Sequence, residues 1–256
     1  MTSYEAWMPG VAQYPNSEIL ANSLQQNLPA KAIAHITADR TASASRPLPH
    51  VPFESLLSYF RNGGASVAPH ILWCPFTGKF AQFFPAWSRS LSVMNGPSGQ
   101  QTNRMGKFVI QIEAVFFPYC DYNGKVYEKL SETPCSGWDS LHTWVKSLGI
   151  PDVWPDGIPK GSGDSRSLTN WDKDAGWYGH SQVPWNDHID PLSWPAFPAA
   201  AKPPVKPEPK PEPKPPVTPT PKPVTPTEST IIAELKSELA TIETQLNELT
   251  TDEKSG

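Results

Sequence analysis

Between Pro203 and Pro226, twelve of twenty-four residues are proline, and no helix or interior strand passes through such a segment. The pyrrolidine ring fixes φ and removes the amide donor, so the Lys-Pro-Glu-Pro and Pro-Thr-Pro units favour extended polyproline geometry and form a semi-rigid spacer. A uniform globular domain of 256 residues is therefore excluded. The expected organisation is a compact domain over residues 1–198, a Pro/Lys/Glu/Thr-rich linker over 199–227 and a short amphipathic tail over 228–256. The ten Trp, ten Phe and seven Tyr fall in the first block, with enough apolar surface to offset the ordering of about two hundred residues.

In the tail, Ile232, Leu235, Leu239, Ile242, Leu246 and Leu249 step alternately by three and four, an a/d heptad seam barely three heptads long. A lone helix of this length is marginal in water. Self-association through residues 230–250 would bury the seam; docking on the chain's own first domain, or fraying, are the alternatives.

A formal charge of −4, with linker lysines alternating with Glu and Pro, argues against a nucleic-acid binder. No run of eighteen apolar residues predicts a membrane span, and Met1-Thr2-Ser3-Tyr4-Glu5 has no signal-peptide pattern. The expectation is synthesis in a cytoplasm, with any action outside that compartment following release by another agent. Cys74, Cys120 and Cys135 are odd in number and lack C-x-x-C spacing, which predicts buried free thiols rather than a disulfide framework or zinc knuckle.

The periodicity predicts a mixed α/β domain. Ala32–Thr37 reads as a buried strand containing His35. Pro52 opens a helix whose Phe53, Leu56, Leu57 and Phe60 share a face, and Gly63-Gly64 closes it. His70–Cys74 and Lys79–Phe84 read as strands around a Pro75–Gly78 turn. The clearest strand is Lys107–Phe117: Phe108, Ile110, Ile112, Ala114 and Phe116 face one way, while Val109, Gln111, Glu113 and Val115 face the other. Ser136 is the predicted cap of a second helix carrying Trp138, Leu141, Val145 and Leu148, ended by Gly149 and Pro151. Residues 151–194 show little periodicity, and long irregular segments in compact domains tend to carry function. Within them, Asn170–Gly176 reads as a rim.

The chemistry concentrates in Gly179–Pro191, where His180, His188, Asp187 and Asp190 lie close together. A turn at Pro184 can bring His180 back to Asp190. These two can share a metal, and a catalytic zinc needs a third protein ligand plus an open position. His35 is the candidate, because a strand holds a ligand rigidly beneath a loop. Two neutral imidazoles and one carboxylate leave such a site a charge near +1, which favours ionisation of bound water. The plain alternatives are a hydrogen-bonded core histidine and a polar surface loop.

Three pieces, Ala34-His35-Ile36-Thr37, Ile110-Gln111-Ile112-Glu113 and Gly179-His180 with Asp190-Pro191, stand in the order and context of the zinc N-acetylmuramoyl-L-alanine amidases. The chain resembles this amidase-2 superfamily, which includes peptidoglycan recognition proteins and many endolysins, over roughly residues 30–195. Trp177–Pro184 is similar to actinobacterial and actinophage amidase-like endolysins. The resemblance implies a mixed central sheet flanked by helices, Zn2+ held by His35, His180 and Asp190, Glu113 as general base, and His188 at the family's cationic position. It also implies peptidoglycan as partner and cell-wall lysis by a phage endolysin as setting. A non-catalytic peptidoglycan-binding module and a virion-associated structural protein are the alternative functions.

Trp177, Tyr178 and Trp185 flank the metal loop and either line a glycan-peptide groove or pack the core. The sequence departs from the family in two places. Asp190-Pro191-Leu192 lacks the usual glycine after the proline, so a different turn is expected there. Trp87-Ser88-Arg89-Ser90 stands where many members have Trp-His-Ala-Gly. His70 resembles a family strand histidine, with support or packing as its expected role.

Overall fold

A computed structural model describes residues 4–37, 41–93, 96 and 101–198. The linker and heptad tail, with their proposed spacer and self-association roles, lie outside the described residues, as do Asp39 and Arg40. In chain order the elements are β1 (Ala12–Gln13), β2 (Lys31–Ile36), β3 (Leu48–Pro49), α1 (Phe53–Arg61), β4 (Ile71–Trp73), β5 (Phe80–Gln82), β6 (Val109–Ala114), β7 (Cys120–Tyr122), β8 (Lys125–Tyr127), α2 (Trp138–Ser147), α3 (Leu168–Lys173) and β9 (Gly176–Gly179).

Among the described residues, six strands form a mixed sheet in the order β1-β5-β4-β6-β2-β9, and β3-β7-β8 form a smaller sheet. The β4–β5 pair is antiparallel, the hairpin expected around Pro75–Gly78, while β4, β6, β2 and β9 run parallel. Parallel strands are normally covered on both faces, and β2 and β6 are buried at every position. This explains why Gln111 and Glu113, expected on a polar face, are buried too.

Strand alternation divides the interior. Ala32, Ala34 and Ile36 of β2, Ile110, Ile112 and Ala114 of β6, and Trp177 of β9 belong to the larger hydrophobic cluster, to which α1 adds Phe53 and Phe60 and α2 adds Trp138, Leu141, Trp144 and Val145. Ile33, Val109 and Tyr178, at the intervening positions, pack in a second cluster with Trp171 of α3. His35 and Glu113 follow the second set, two residues on from Ile33 and four from Val109. They are partners in register across the β2–β6 pair. The period-two pattern thus turns both polar side chains away from the larger cluster.

Two local expectations need correction. Helix α2 is not capped by Ser136. Gly137 occupies the N-cap at φ 82°, and no side chain caps the helix. The Ser136 hydroxyl instead donates to the Phe76 carbonyl. Gly137 is needed for packing as well as conformation, since a Cβ there would lie 2.7 Å from the Phe80 ring. The segment read as irregular also contains α3 and β9. The expected rim at Asn170–Gly176 is largely helix, because Ser167 caps α3 by accepting from the Asn170 amide and Trp171 is fully buried.

Cys74 and Cys120 are buried free thiols, as expected, and Cys135 is partly exposed. Burial pushes the Cys120 thiol up to about 11. No described helix is long and apolar enough to cross a membrane.

Candidate metal centre

The site begins with strand register. Gly179, the last residue of β9, pairs with Ala34, so His180 leaves the sheet level with His35 on the neighbouring strand. Gly179 also permits a close approach that a larger residue would block: a Cβ there would lie 2.7 Å from the Pro159 ring. The turn after it is braced from several sides. The Gly179 amide donates to Gln182 Oε1 at 2.8 Å, and the Ser181 hydroxyl donates to Asp164 at 2.6 Å. The Ser181 amide donates to the Asp190 carbonyl at 2.8 Å, which closes the loop predicted from the sequence and returns Asp190 to His180.

His35, His180 and Asp190 converge there, each offering a ligand atom within 4.8 Å of the others. The two imidazole Nδ1 atoms are 3.0 Å apart, His180 Nδ1 is 3.2 Å from Asp190 Oδ1, and His35 Nδ1 is 3.9 Å from Asp190 Oδ2. Tetrahedral zinc with bonds of about 2.0–2.1 Å separates its ligand atoms by about 3.3 Å, and the three distances bracket that value. The second carboxylate oxygen is oriented by the Ile36 amide, which donates to Oδ2 at 3.2 Å.

The donor chemistry fits a cation as well. His35 and His180 are nearly inaccessible to solvent, and the Nε2 atom of each is buried without a hydrogen-bond partner. The Nδ1 atoms, by contrast, converge on each other and on the Asp190 carboxylate, with no backbone group between them. Burial, with His180 beside it, holds His35 well below the usual imidazole range, so the ring is neutral. Burial alone would push the Asp190 carboxyl up, but hydrogen bonds from His180 and His188 hold it well below the usual carboxylate range. A neutral His35 imidazole beside an ionised Asp190 carboxylate matches the protonation states a metal requires of such ligands.

The three residues lie in the wall of a groove of about 1030 Å³ that is also lined by Glu113, Asp187 and His188. Glu113 reaches it from β6 beside His35. The His188 ring stacks on His180 with centroids 4.1 Å apart, and its Nδ1 lies 3.5 Å from Asp190 Oδ1 rather than on Asp187. The Asp190 carboxylate pulls the His188 imidazole above its ordinary range. All five residues expected to ligate metal or act in catalysis are therefore gathered at one place.

No model of a protein family matches the chain, and no curated protein matches it. One solved structure similar to it is the Staphylococcus aureus hydrolase AmiA in complex with its ligand. The two share 14% identity at a TM-score of 0.42, covering 72% of this chain and 74% of that one.

The aromatic groove expectation fails for two residues. Trp177 is fully buried against Trp138, Trp154, Trp194 and Phe197. Tyr178 is fully buried against Trp171, and its hydroxyl donates to the Asn170 and Asp174 carbonyls. Both are strand residues covered on both faces, so neither reaches the groove. Trp185 is partly buried against the second cluster and is not among the residues lining the groove. Sequence reasoning missed the actual walls, including Leu56 and Tyr59 of α1, Val67, Arg89 and Asn103. For Tyr59 the available signal was an aromatic lying off the core face of α1; Leu56 sits on that face, partly buried against the larger cluster, and gave no such signal.

Leu192 settles the question of the missing glycine. Its φ is 64°, in the left-handed region where glycine is unstrained, so a turn of the glycine type forms with leucine in place. His70 is a packing residue. Its Nδ1 accepts from the Gln111 amide and its Nε2 donates to the Ser88 carbonyl, leaving no nitrogen for a metal.

Proposed function

We propose that the protein is a zinc-dependent hydrolase of the amide bond between the lactyl group of N-acetylmuramic acid and L-alanine in peptidoglycan, working as a phage endolysin in host lysis. The observation that carries this reading is the convergence of buried His35, His180 and Asp190 in the wall of an open groove, with a carboxylate from β6 beside them. The order of the three sequence pieces resembling amidases supports the choice of substrate.

In this reading His35, His180 and Asp190 hold the zinc, which when bound supplies Lewis acidity toward the amide carbonyl and toward water. Glu113 takes the proton from water and delivers it to the leaving amine. His188, half exposed at the mouth and stacked on His180, offers an N–H to the carbonyl oxygen as negative charge develops. The Ile36 amide and the Ser181–Asp190 backbone bond keep the carboxylate in place through the cycle.

The test combines metal analysis with product analysis on wild type, His180→Ala and Asp190→Ala. Wild type is expected to hold one zinc and to release new amino termini from cell walls without new reducing sugar ends. Each variant should lose the metal and at least about 10³-fold in activity. Equal metal content in all three removes the site as drawn. Wall binding by wild type without cleavage products establishes a non-catalytic module instead.

A further inference from the structure

We propose that Asp164 is a positioning residue for the metal centre: by accepting from the Ser181 hydroxyl, it sets the placement of both loop-borne ligands, His180 and Asp190, before a cation arrives. That the cation serves a hydrolase rests on the proposed function; the grip of Asp164 on the ligand loop does not.

The three ligands differ in how they are held. His35 sits inside β2, which pairs with β6 and β9, whereas His180 and Asp190 follow the end of β9 and belong to no strand. Ser181 connects those two. It follows His180 directly, and its amide donates to the Asp190 carbonyl at 2.8 Å. It is fully buried, and its hydroxyl donates to Asp164 Oδ2 at 2.6 Å, the short distance of a bond to a charged acceptor. A displacement of Ser181 therefore moves both loop-borne ligands.

Asp164 is itself fixed by its own loop. Its Oδ2 also accepts from the Lys160 and Gly161 amides at 2.9 Å each, and its amide donates to the Gly161 carbonyl at 3.1 Å. Three donors thus converge on one oxygen. None of the ion pairs among the described residues includes Asp164, so the carboxylate works as a shared acceptor rather than as half of a salt bridge. Gly161 has a φ of 98°, and a Cβ there would run into the Leu192 side chain and lie 3.1 Å from the Ile189 carbonyl oxygen, so glycine lets the loop approach the chain on either side of Asp190. Arg166, two residues beyond Asp164, donates to the His188 carbonyl at 2.9 Å. The loop therefore grips the ligand-bearing stretch next to His180 and around Asp190. Ligands held at their spacing in advance spare the cation the entropy cost of ordering them.

The test measures zinc binding by chelator competition on the full chain as wild type, Asp164→Ala, Ser181→Ala, the double variant and Asp164→Asn. The affinity is that of the folded protein, so a contact that merely added stability would leave it unchanged. Asp164→Ala and Ser181→Ala are each expected to weaken zinc binding about tenfold, and the double variant no more than either, since both remove the same bond. Asp164→Asn should recover most of the loss, because an amide oxygen in the Oδ2 place accepts from the same three donors. Ser181→Ala separates placement from charge: it keeps the carboxylate and removes only the bond. Affinity that falls in Asp164→Ala but not in Ser181→Ala, or that stays low in Asp164→Asn, means that the charge acts on the cation directly and overturns the proposal. Unchanged affinities, or losses that multiply in the double variant, overturn it too. Should Asp164→Ala fail to fold, Ser181→Ala and Asp164→Asn still decide the matter. Hydrogen exchange of metal-free protein gives a readout independent of zinc: the Ser181 amide should exchange about tenfold faster in Asp164→Ala than in wild type, and equal rates overturn the grip. If wild type binds no zinc while this exchange still accelerates, the hydrolase reading fails and the grip of Asp164 on the loop stands.

Discussion

The two sides of the β6–β2–β9 strands are built from the same short runs by alternation, yet they solve opposite problems. On one side, Trp177, Trp138, Trp154, Trp194 and Phe197 form a ring cluster with centroid separations of 5.4–6.3 Å. Its favourable term is area removed from water and contact between rings. On the other side, past Ile33 and Val109, the strands bury His35 and Glu113. The same contrast separates the buried histidines. Both nitrogens of His70 are matched by backbone partners, whereas His35 and His180 each keep a buried Nε2 with none. The lesson is that burial by itself does not mark a candidate metal ligand; a ring nitrogen turned onto other ligand-type side chains, as in His35 and His180, rather than onto backbone, as in His70, does.

The contrast can be broken first on the aromatic side. Trp177→Ala is expected to lower unfolding free energy by about 3–5 kcal/mol, read by denaturant titration, while the folded fraction keeps its zinc content. Loss of zinc from that folded fraction would mean that the two sides are not separable.

The matched histidine gives the next effect. Burial lowers His70 from 6.5 to about 4. Between those values the unfolded chain binds the proton that the folded chain refuses, so stability contributed by neutral His70 is complete above pH 6.5 and is lost as pH falls toward 4. The full loss is about 3 kcal/mol. His70→Gln, whose amide can both accept and donate, should flatten the stability curve between pH 7 and pH 4 by about that amount relative to wild type. Parallel curves would show that His70 does not resist protonation.

The unmatched pair gives a smaller effect of opposite character. Zinc at one hundred times its dissociation constant should stabilise wild type by about 2.7 kcal/mol and leave Asp190→Ala unchanged, measured as a shift in thermal or denaturant midpoint. Equal stabilisation of both proteins would place the metal elsewhere.

Much of this arrangement could be read in the chain. The alternation in Lys107–Phe117 identified the larger cluster's face, since Phe108, Ile110, Ile112, Ala114 and Phe116 all join it. The run around His35 gave β2, and the His180–Asp190 spacing gave the loop that closes on the metal cluster. What escaped were features without periodicity. Strand β9 is four residues long and contains two glycines, so it carries no alternation of its own; its place comes from pairing with β2. For the same reason the sequence left Trp177 and Tyr178 open between groove and core, because aromatic residues beside a polar motif look alike whether the strand is covered or open.

Local sequence alone set the amphipathic helices and the types of residue available for metal chemistry, because backbone geometry and side-chain periodicity act within a few residues. Tertiary structure alone decided which of those residues meet. His35 and His180 are 145 positions apart, and it is parallel strand pairing that brings their rings within 3.0 Å.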